Sequence, residues 1–351
     1  MNFEKYIINS NQSIRNAIKK MDIEDVYILI AIHPIKKNVL GIFTIGDFRK
    51  FVLKGVDINT NLSKIINKDF IYVKNDKINN RAIKQLFKKN KNIDLIPVLN
   101  SRHLLIGLLH RSSYENDKNT KNNISVVIMA GGFGERLMPI TKILPKALVP
   151  IGGKPIIEII IDRFFRQNFK KFIISINKDF KIIKTYLGNN YLKSKLTYIS
   201  EDKRMGTIGA LKLIKNIEKT FILSNCDIII KGSYSKILEF HKINNNKLTI
   251  VSAMKNISLP YGVCELYKNG NLKAIREKPE FNYLINTGFY VFESSIIKLI
   301  DNKAPYNIDD LIKKLLKNKL KVGVYPISEK SWLDIGEPDK LLESEKNIKY
   351  L

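Results

Sequence analysis

Met129 to Glu158 reads MAGGFGERLMPITKILPKALVPIGGKPIIE. The residues leading into it, ISVVIMA, form an apolar run without alternation, the pattern of a parallel strand buried on both faces. At Ala130 the run opens into Gly131-Gly132-Phe133-Gly134, where missing Cβ atoms let backbone N–H groups approach an anion. Arg136 and Lys146 follow, near prolines (Pro139, Pro145, Pro150) that stiffen the loop. Backbone donors with an Arg and a Lys in a rigid loop suit a polyphosphate whose charge grows during reaction. Leu137 stands where a dinucleotide fingerprint needs its third glycine, and the Gly-Lys-Ser/Thr of a Walker loop is missing.

Downstream, helical and strand patterns alternate. Ile156–Asn168 predicts a helix, KKFIISIN a strand, KIIKTYLG a helix ending at Gly188, and KLTYIS a strand. IGALKLIKNI predicts a helix, TFILSNCD a strand, SYSKILEFHKINN a helix and KLTIVSAM a strand. Such alternation gives right-handed βαβ units and an α/β fold, a mostly parallel sheet with helices on both faces. Ligands of such sheets sit at the carboxyl ends of the strands, where the glycine loop, Glu201 and Asp227 all fall.

The stretch resembles the signature of sugar-phosphate nucleotidyltransferases: Gly-Gly-x-Gly-x-Arg-Leu-x-Pro-x-Thr, then Pro-Lys-x-Leu-x-Pro, then Lys-Pro-x-x-Glu. Gly131, Gly132, Gly134, Arg136, Leu137, Pro139, Thr141, Pro145, Lys146, Leu148, Pro150, Lys154, Pro155 and Glu158 meet every position. The resemblance covers roughly 124–351 and implies a Rossmann-like catalytic domain, with a nucleoside triphosphate and a sugar 1-phosphate giving a nucleotide sugar and pyrophosphate. It implies that Ala130 and the glycines bind nucleotide, that Arg136 holds the β/γ-phosphates and that Lys146 holds the α-phosphate. Asp227 in LSNCD and Asp334 in WLDIG match the family's two Mg²⁺ ligands, and hard Mg²⁺ takes one or two carboxylates with phosphate oxygens and water. Cys226 departs from the family's glycine before that first Asp, so a side chain is expected against the nucleotide ribose. Glu277-Lys278-Pro279 resembles the motif in which Lys meets the sugar phosphate and Glu a sugar hydroxyl. Asn286-Thr287-Gly288 resembles the sugar-contact turn.

EDKRMGTIGAL, Glu201 to Leu211, resembles the base-reading loop, with Gly206 and Thr207 inside it. Glu201 stands where users of uridine or thymidine nucleotides often carry Gln. Gln offers a donor and an acceptor, matching uracil N3–H and O4, whereas an ionised Glu only accepts and suits the N1–H and N2–H₂ donors of guanine. GTP is therefore the first expectation, with UTP or dTTP the alternative. A non-catalytic nucleotide-sensing regulator that kept the fold is the rival class. Intact Arg136, Lys146, Asp227, Asp334 and Lys278 argue against it.

Before this domain the chain repeats itself. Helix Ser13–Lys20, strand Tyr27–Ile32 and VLGIFTIGDFRKFVLKG find counterparts in RAIKQLFKK, LIPVLN and LLIGLLHRSSY about 65 residues on, as an internal duplication would give. GIFTIGDFRK resembles the end of a CBS domain, in which Thr44 and Asp47 match residues that contact adenine nucleotides. His110 and Ser113 replace them in the second, degenerate copy. The expected layout is therefore an α+β CBS pair (1–60 and 61–114), a polar linker over 112–123 and a catalytic domain over 124–351. This order resembles enzymes of bacterial surface-glycan biosynthesis, including guanylyltransferases of nonulosonic-acid pathways. A homo-oligomer through the CBS pair is expected.

Composition narrows the remaining classes. The 351 residues carry 60 Lys+Arg against 33 Asp+Glu, a formal charge of +27. Only ten of the basic residues are Arg and the lysines are spread over the whole length. Readers of nucleic acid usually cluster charge and use the Arg fork, so solvated surface is expected and no nucleic-acid partner. Two cysteines, Cys226 and Cys264, make no disulfide framework, and Cys264 is expected as a core filler. The opening MNFEKYIINSNQSIRN lacks the apolar core of a signal peptide and no run reaches the ~18 residues of a membrane span, so a soluble, cytoplasmic protein is expected.

Overall fold

The structure, a computed structural model, describes residues 3–24, 26–75, 79–90, 93–111, 114, 122–302 and 305–336. Most of the expected linker, Ser113 included, lies outside them, and Asn122 and Asn123 open a strand. The chain divides into two compact units, Met1–Asn119 and Thr120–Leu351.

The first unit contains β1 (Ile7–Asn9), α1 (Ile14–Glu24), β2 (Ile28–Ile32), β3 (Val39–Thr44) and α2 (Ile45–Leu53), then β4 (Val73–Lys74), α3 (Asn80–Lys89), β5 (Leu95–Leu99) and β6 (Leu105–His110). On α1 the buried residues Ile14, Ala17, Ile18 and Met21 recur at helical spacing, so one apolar stripe faces the sheet. Each half has the same strand order. β1 runs parallel to β2 and β3 antiparallel to it, while β4 runs parallel to β5 and β6 antiparallel to it. Ile30, Ile32 and Val39 of one half share a core with Leu99 of the other.

The second unit begins with β7 (Asn122–Ala130), followed by the glycine loop and a short ribbon of β8 (Pro150–Ile151) and β9 (Lys154–Pro155). Then come α4 (Ile156–Arg166), β10 (Phe169–Asn177), α5 (Lys181–Leu187), β11 (Asn190–Tyr191), β12 (Ser194–Glu201), β13 (Thr220–Asn225), β14 (Ile228–Ile230) and α6 (Tyr234–Ile243). β15 (Leu248–Ser258), the hairpin β16 (Val263–Leu266) and β17 (Leu272–Arg276), β18 (Glu280–Glu293), α7 (Ile308–Lys317), β19 (Val322–Ser328) and β20 (Trp332–Asp334) complete it. Eight strands form one sheet in the order β11-β12-β10-β7-β13-β18-β15-β19. β12, β10, β7 and β13 are parallel, as the βαβ reading requires. Val126, Val127 and Ile128 on β7 are fully buried, which is why that strand shows no alternation. Phe164 of α4 packs on Phe169, Phe172, Tyr234 and Phe289 to close one face.

β18 runs antiparallel between β13 and β15, so the sheet is mostly parallel but mixed. Two expectations need correction. The helix expected over IGALKLIKNI is only a 3₁₀ turn, Gly209–Leu213. Its approach is fixed instead by bonds to the segment ahead of α7, the Tyr306 N–H donating to Met205 O and the Ile208 N–H to Tyr306 O. Cys264 is exposed on the two-stranded hairpin, which has no core beneath it to fill. Among the described residues no helix is long and apolar enough to cross a membrane.

Candidate active site

The glycine loop is built by close approach. At Gly134 φ is +67°, and a Cβ would lie 2.9 Å from both Lys146 Cβ and Thr141 Cγ2. The Thr141 hydroxyl donates to Gly134 O at 2.8 Å, and the Leu137 N–H donates to the same oxygen at 2.8 Å. Leu137 is buried and pins the turn, while Arg136 beside it is exposed. A Cβ on Gly131 would collide with the Glu201 carboxylate, so the loop's first glycine lies directly on that side chain.

Lys146 is buried in its own 3₁₀ turn, and its ammonium is paired with the Asp227 carboxylate, also buried. The ribbon of β14 and β20 brings the second carboxylate. Ile228 pairs with Asp334, and the Ile335 N–H donates to Asp227 O at 2.8 Å. Gly336 closes the group: a Cβ there would stand 2.7 Å from Asp227 Oδ2, 3.0 Å from Asp334 Oδ1 and 3.1 Å from Lys146 Nζ. Two carboxylates and an ammonium therefore surround one bare glycine. Among the described residues no cluster of three or more Cys, His, Asp or Glu forms a metal centre. Two carboxylates are a donor set that suits a hard divalent ion, which completes its shell with phosphate oxygens and water, and the lysine ammonium stands beside them. The Cys226 side chain belongs to the main core, and burial foremost, then the Asp227 charge, pushes its thiol up to about 12.

Glu201, at the carboxyl end of β12, is 5% exposed. It accepts from the Ser175 hydroxyl and from the Met205 N–H. Burial raises its carboxyl above the usual range, and those two bonds oppose the shift. Sequence reasoning missed a set of contacts among the loops that follow β7, β10 and β12. Phe133 meets Phe180 edge-on at 5.5 Å, the Arg204 guanidinium lies 4.6 Å from the Phe133 ring centroid, and Arg204 pairs with Glu135 at 3.0 Å. Gly206 and Thr207 instead dock the loop onto α7. A Cβ on Gly206 would strike the Tyr306 backbone, the Thr207 N–H donates to Asn307 Oδ1, and Thr207 Oγ1 accepts from the Ile308 N–H.

Asn286-Thr287-Gly288 is a bulge inside β18, opposite Val251/Ser252, and not a turn. Thr287 is buried, its hydroxyl donating to Val251 O, and the Asn286 amide donates to Tyr290 Oη. Gly288, at φ +84°, leaves space that a Cβ would take from the Asn225 amide, so the bulge lies against the strand end that precedes Asp227. Glu277 and Lys278 stand elsewhere, exposed at the foot of the hairpin. From Glu280 to Asn286 is about 20 Å of extended chain, and the structure does not gather these two residues with the acidic pair. In the first unit Thr44 and Asp47 cap α2 reciprocally: the Thr44 N–H and hydroxyl donate to Asp47 Oδ2, and the Asp47 N–H donates to Thr44 Oγ1. That is a capping box.

A glycine loop at the carboxyl edge of a doubly wound sheet, with a buried Asp227, a half-buried Asp334 and two cations, is an arrangement suited to nucleoside phosphates. Residues 125–350 match the nucleotidyl transferase family model, and the chain belongs to that family. It is 32% identical over 235 residues to the bifunctional protein GlmU of Methanococcus maripaludis, covering 64% of this chain and 54% of the relative. It is 32% identical over 226 residues to the mannose-1-phosphate guanyltransferase of Yarrowia lipolytica, covering 62% and 61%. The chain thus spans between half and two thirds of the length of these curated relatives. The crystal structure of HddC from Yersinia pseudotuberculosis superposes with a TM-score of 0.51 at 27% identity, covering 64% of this chain and 99% of that one.

The buried Glu201 has a thermodynamic signature. A carboxyl raised in the fold gives stability that is complete below its ordinary value, 4.5, and is lost as pH rises through the raised value. Glu201→Gln cannot ionise, so its urea midpoint should gain on the parent's as pH climbs above that ordinary value, then level off. A difference that stays flat across that window would contradict the burial account.

Proposed function

We propose that this chain is a sugar-1-phosphate nucleotidyltransferase that joins GTP and a hexose or hexosamine 1-phosphate into a nucleotide sugar and releases pyrophosphate. The convergence of Lys146, Asp227 and Asp334 on Gly336, beside the glycine loop, carries this reading. An oxygen of the sugar phosphate attacks the α-phosphorus in line, the α–β bridging P–O bond breaks, and its electron pair leaves on pyrophosphate. No covalent intermediate and no general base are needed, so the protein's part is positioning and charge neutralisation. The backbone of Ala130, Gly131, Gly132 and Gly134 cradles the phosphates, Arg136 takes the β/γ end, and Lys146 takes the α-phosphate when a cation replaces it on the acidic pair. Asp227 and Asp334 would hold Mg²⁺, which supplies positive charge against the developing pyrophosphate. Lys278 and Glu277 would meet the sugar phosphate and a hydroxyl by closure of the hairpin arm, near Asn286, Thr287 and Gly288.

Ionised Glu201 accepts from guanine N1–H and N2–H₂, which supports GTP. Its raised carboxyl favours UTP or dTTP as the second reading, because a protonated Glu, like Gln, offers both a donor and an acceptor. The product is a precursor for surface glycans, made in the cytoplasm. The first unit reads as a CBS pair, its matching half-sheets supporting the duplication. It joins two chains and takes an adenine nucleotide at Thr44 and Asp47.

Asp227→Asn and Asp334→Asn should each lower turnover at least ~10²-fold at saturating Mg²⁺, through loss of a few kcal/mol of transition-state stabilisation. Urea midpoints establish that the variants are folded, and near-normal turnover in both would remove the acidic pair from the mechanism. For the first unit, AMP should bind the full chain by calorimetry, and Asp47→Ala should abolish the heat without changing the sedimentation coefficient. A dimer that gives no heat with AMP would leave the pair as an assembly device alone.

A further inference from the structure

The neighbouring strands β7, β10 and β12 end level with one another: Ala130 is in register with Ile176, and Asn177 with Glu201. The loops that follow them therefore leave the sheet side by side. Between Ala130 and Glu135 the first of these loops carries three glycines and one ring, Phe133. Glycine loses more backbone freedom on ordering than any other residue, so the shape of such a loop has to be held by whatever its side chain touches.

The contacts that hold it follow one another along two segments. Glu201, at the end of β12, lies against Gly131. Three residues on, the Arg204 guanidinium stands 4.6 Å from the Phe133 ring centroid and pairs with Glu135 at 3.0 Å. Phe180 meets the same ring edge-on at 5.5 Å, from a turn after β10 that is itself fixed, since the Asn177 side chain accepts from the Asp179 N–H. Behind Arg204 the backbone is anchored as well. Met205 donates its N–H to Glu201, and its carbonyl accepts from the Tyr306 N–H. Arg204 is thus joined through its backbone to the segment that carries Glu201, and through its guanidinium to the glycine loop, one residue before Arg136. Stability does not explain the ion pair. The Arg204 and Glu135 side chains are 68% and 63% exposed, and exposed pairs add little to folding. Phe133, Glu135 and Arg204 also occupy positions that the family signature leaves open. A ligand that spans both segments is bound more tightly when they are already held at the spacing it needs, because less ordering remains to be done on binding.

We propose that Arg204 is a positioning residue for the nucleoside triphosphate: through Phe133 and Glu135 it fixes the segment that reads the base against the loop that takes the phosphates. The inference rests on the nucleotidyltransferase reading above and adds to it how base and phosphate recognition are tied together. Arg204 acts through the glycine loop and not on the phosphates themselves, so Glu135 is needed as well. Calorimetry of GTP with Mg²⁺ into the full chain tests this, with UTP in its place if the parent prefers UTP. Arg204→Ala should weaken binding about three- to tenfold at unchanged stoichiometry. Glu135→Gln should weaken it about two- to fivefold, although removing a negative charge beside a polyanion favours the opposite. The double variant should bind no more weakly than Arg204→Ala, since both substitutions break one tie. In turnover, KM for the nucleotide should rise with kcat held within about twofold, a split that loss of folded protein would not give. Affinity unchanged in either single variant would overturn the inference. Tighter binding by Glu135→Gln would overturn it too, by making Arg204 a direct phosphate contact that Glu135 holds back. A parent that binds neither GTP nor UTP would instead overturn the nucleotidyltransferase reading, and this inference with it.

Discussion

The ion pair between Lys146 and Asp227 is the constraint on which the second unit is arranged. Both groups are buried, and removing either partner from such a pair leaves an uncompensated charge, typically at a cost of about 3–5 kcal/mol. The surrounding chain is shaped to bring them together. Gly134 gives up its side chain so that Lys146 can pass, and Gly336 gives up its own so that Asp334 can join. The β14–β20 ribbon ties the last described strand to the residue after Asp227. A buried ammonium paired with a carboxylate is a poor way to gain stability compared with apolar packing. It does hold three charged groups beside the glycine loop.

The legible part of this arrangement was the contiguous part. MAGGFGERLMPITKILPKALVP carries the strand, the turn glycines, the buried Leu137 and both cations within one stretch, so local chemistry was enough to read it. Asp334 lies far along the chain, and only the resemblance of WLDIG to the family pattern marked it. β18 was not recognised as a strand because EFNYLINTGFYVFE carries a bulge at Asn286–Gly288 that breaks the strand period. The periodicity of IGALKLIKNI suggested a helix, yet bonds to Tyr306, about a hundred residues away, hold that segment in a 3₁₀ turn. Thr44 and Asp47 were read for a ligand, and in the fold they also cap a helix, since a cap and a ligand contact can share one spacing. The contacts among Phe133, Phe180 and Arg204 join segments distant in sequence, and no local signal announces them.

In the proposed reaction Glu201 is the contact between the base and the fold. It is buried against Gly131 and bonded to Ser175 and Met205. A carboxylate there is costly unless something donates to it, and guanine brings two donors where uracil brings one donor and an opposing carbonyl.

Pyrophosphate release by the full chain with Mg²⁺, measured for GTP, UTP, dTTP, ATP and CTP against a panel of sugar 1-phosphates, tests the account most directly. The account predicts turnover with at least one sugar 1-phosphate and the highest kcat/KM for GTP. Silence with every pair would contradict the assignment as an enzyme of this reaction, and a higher kcat/KM for UTP or dTTP would contradict the role given to an ionised Glu201.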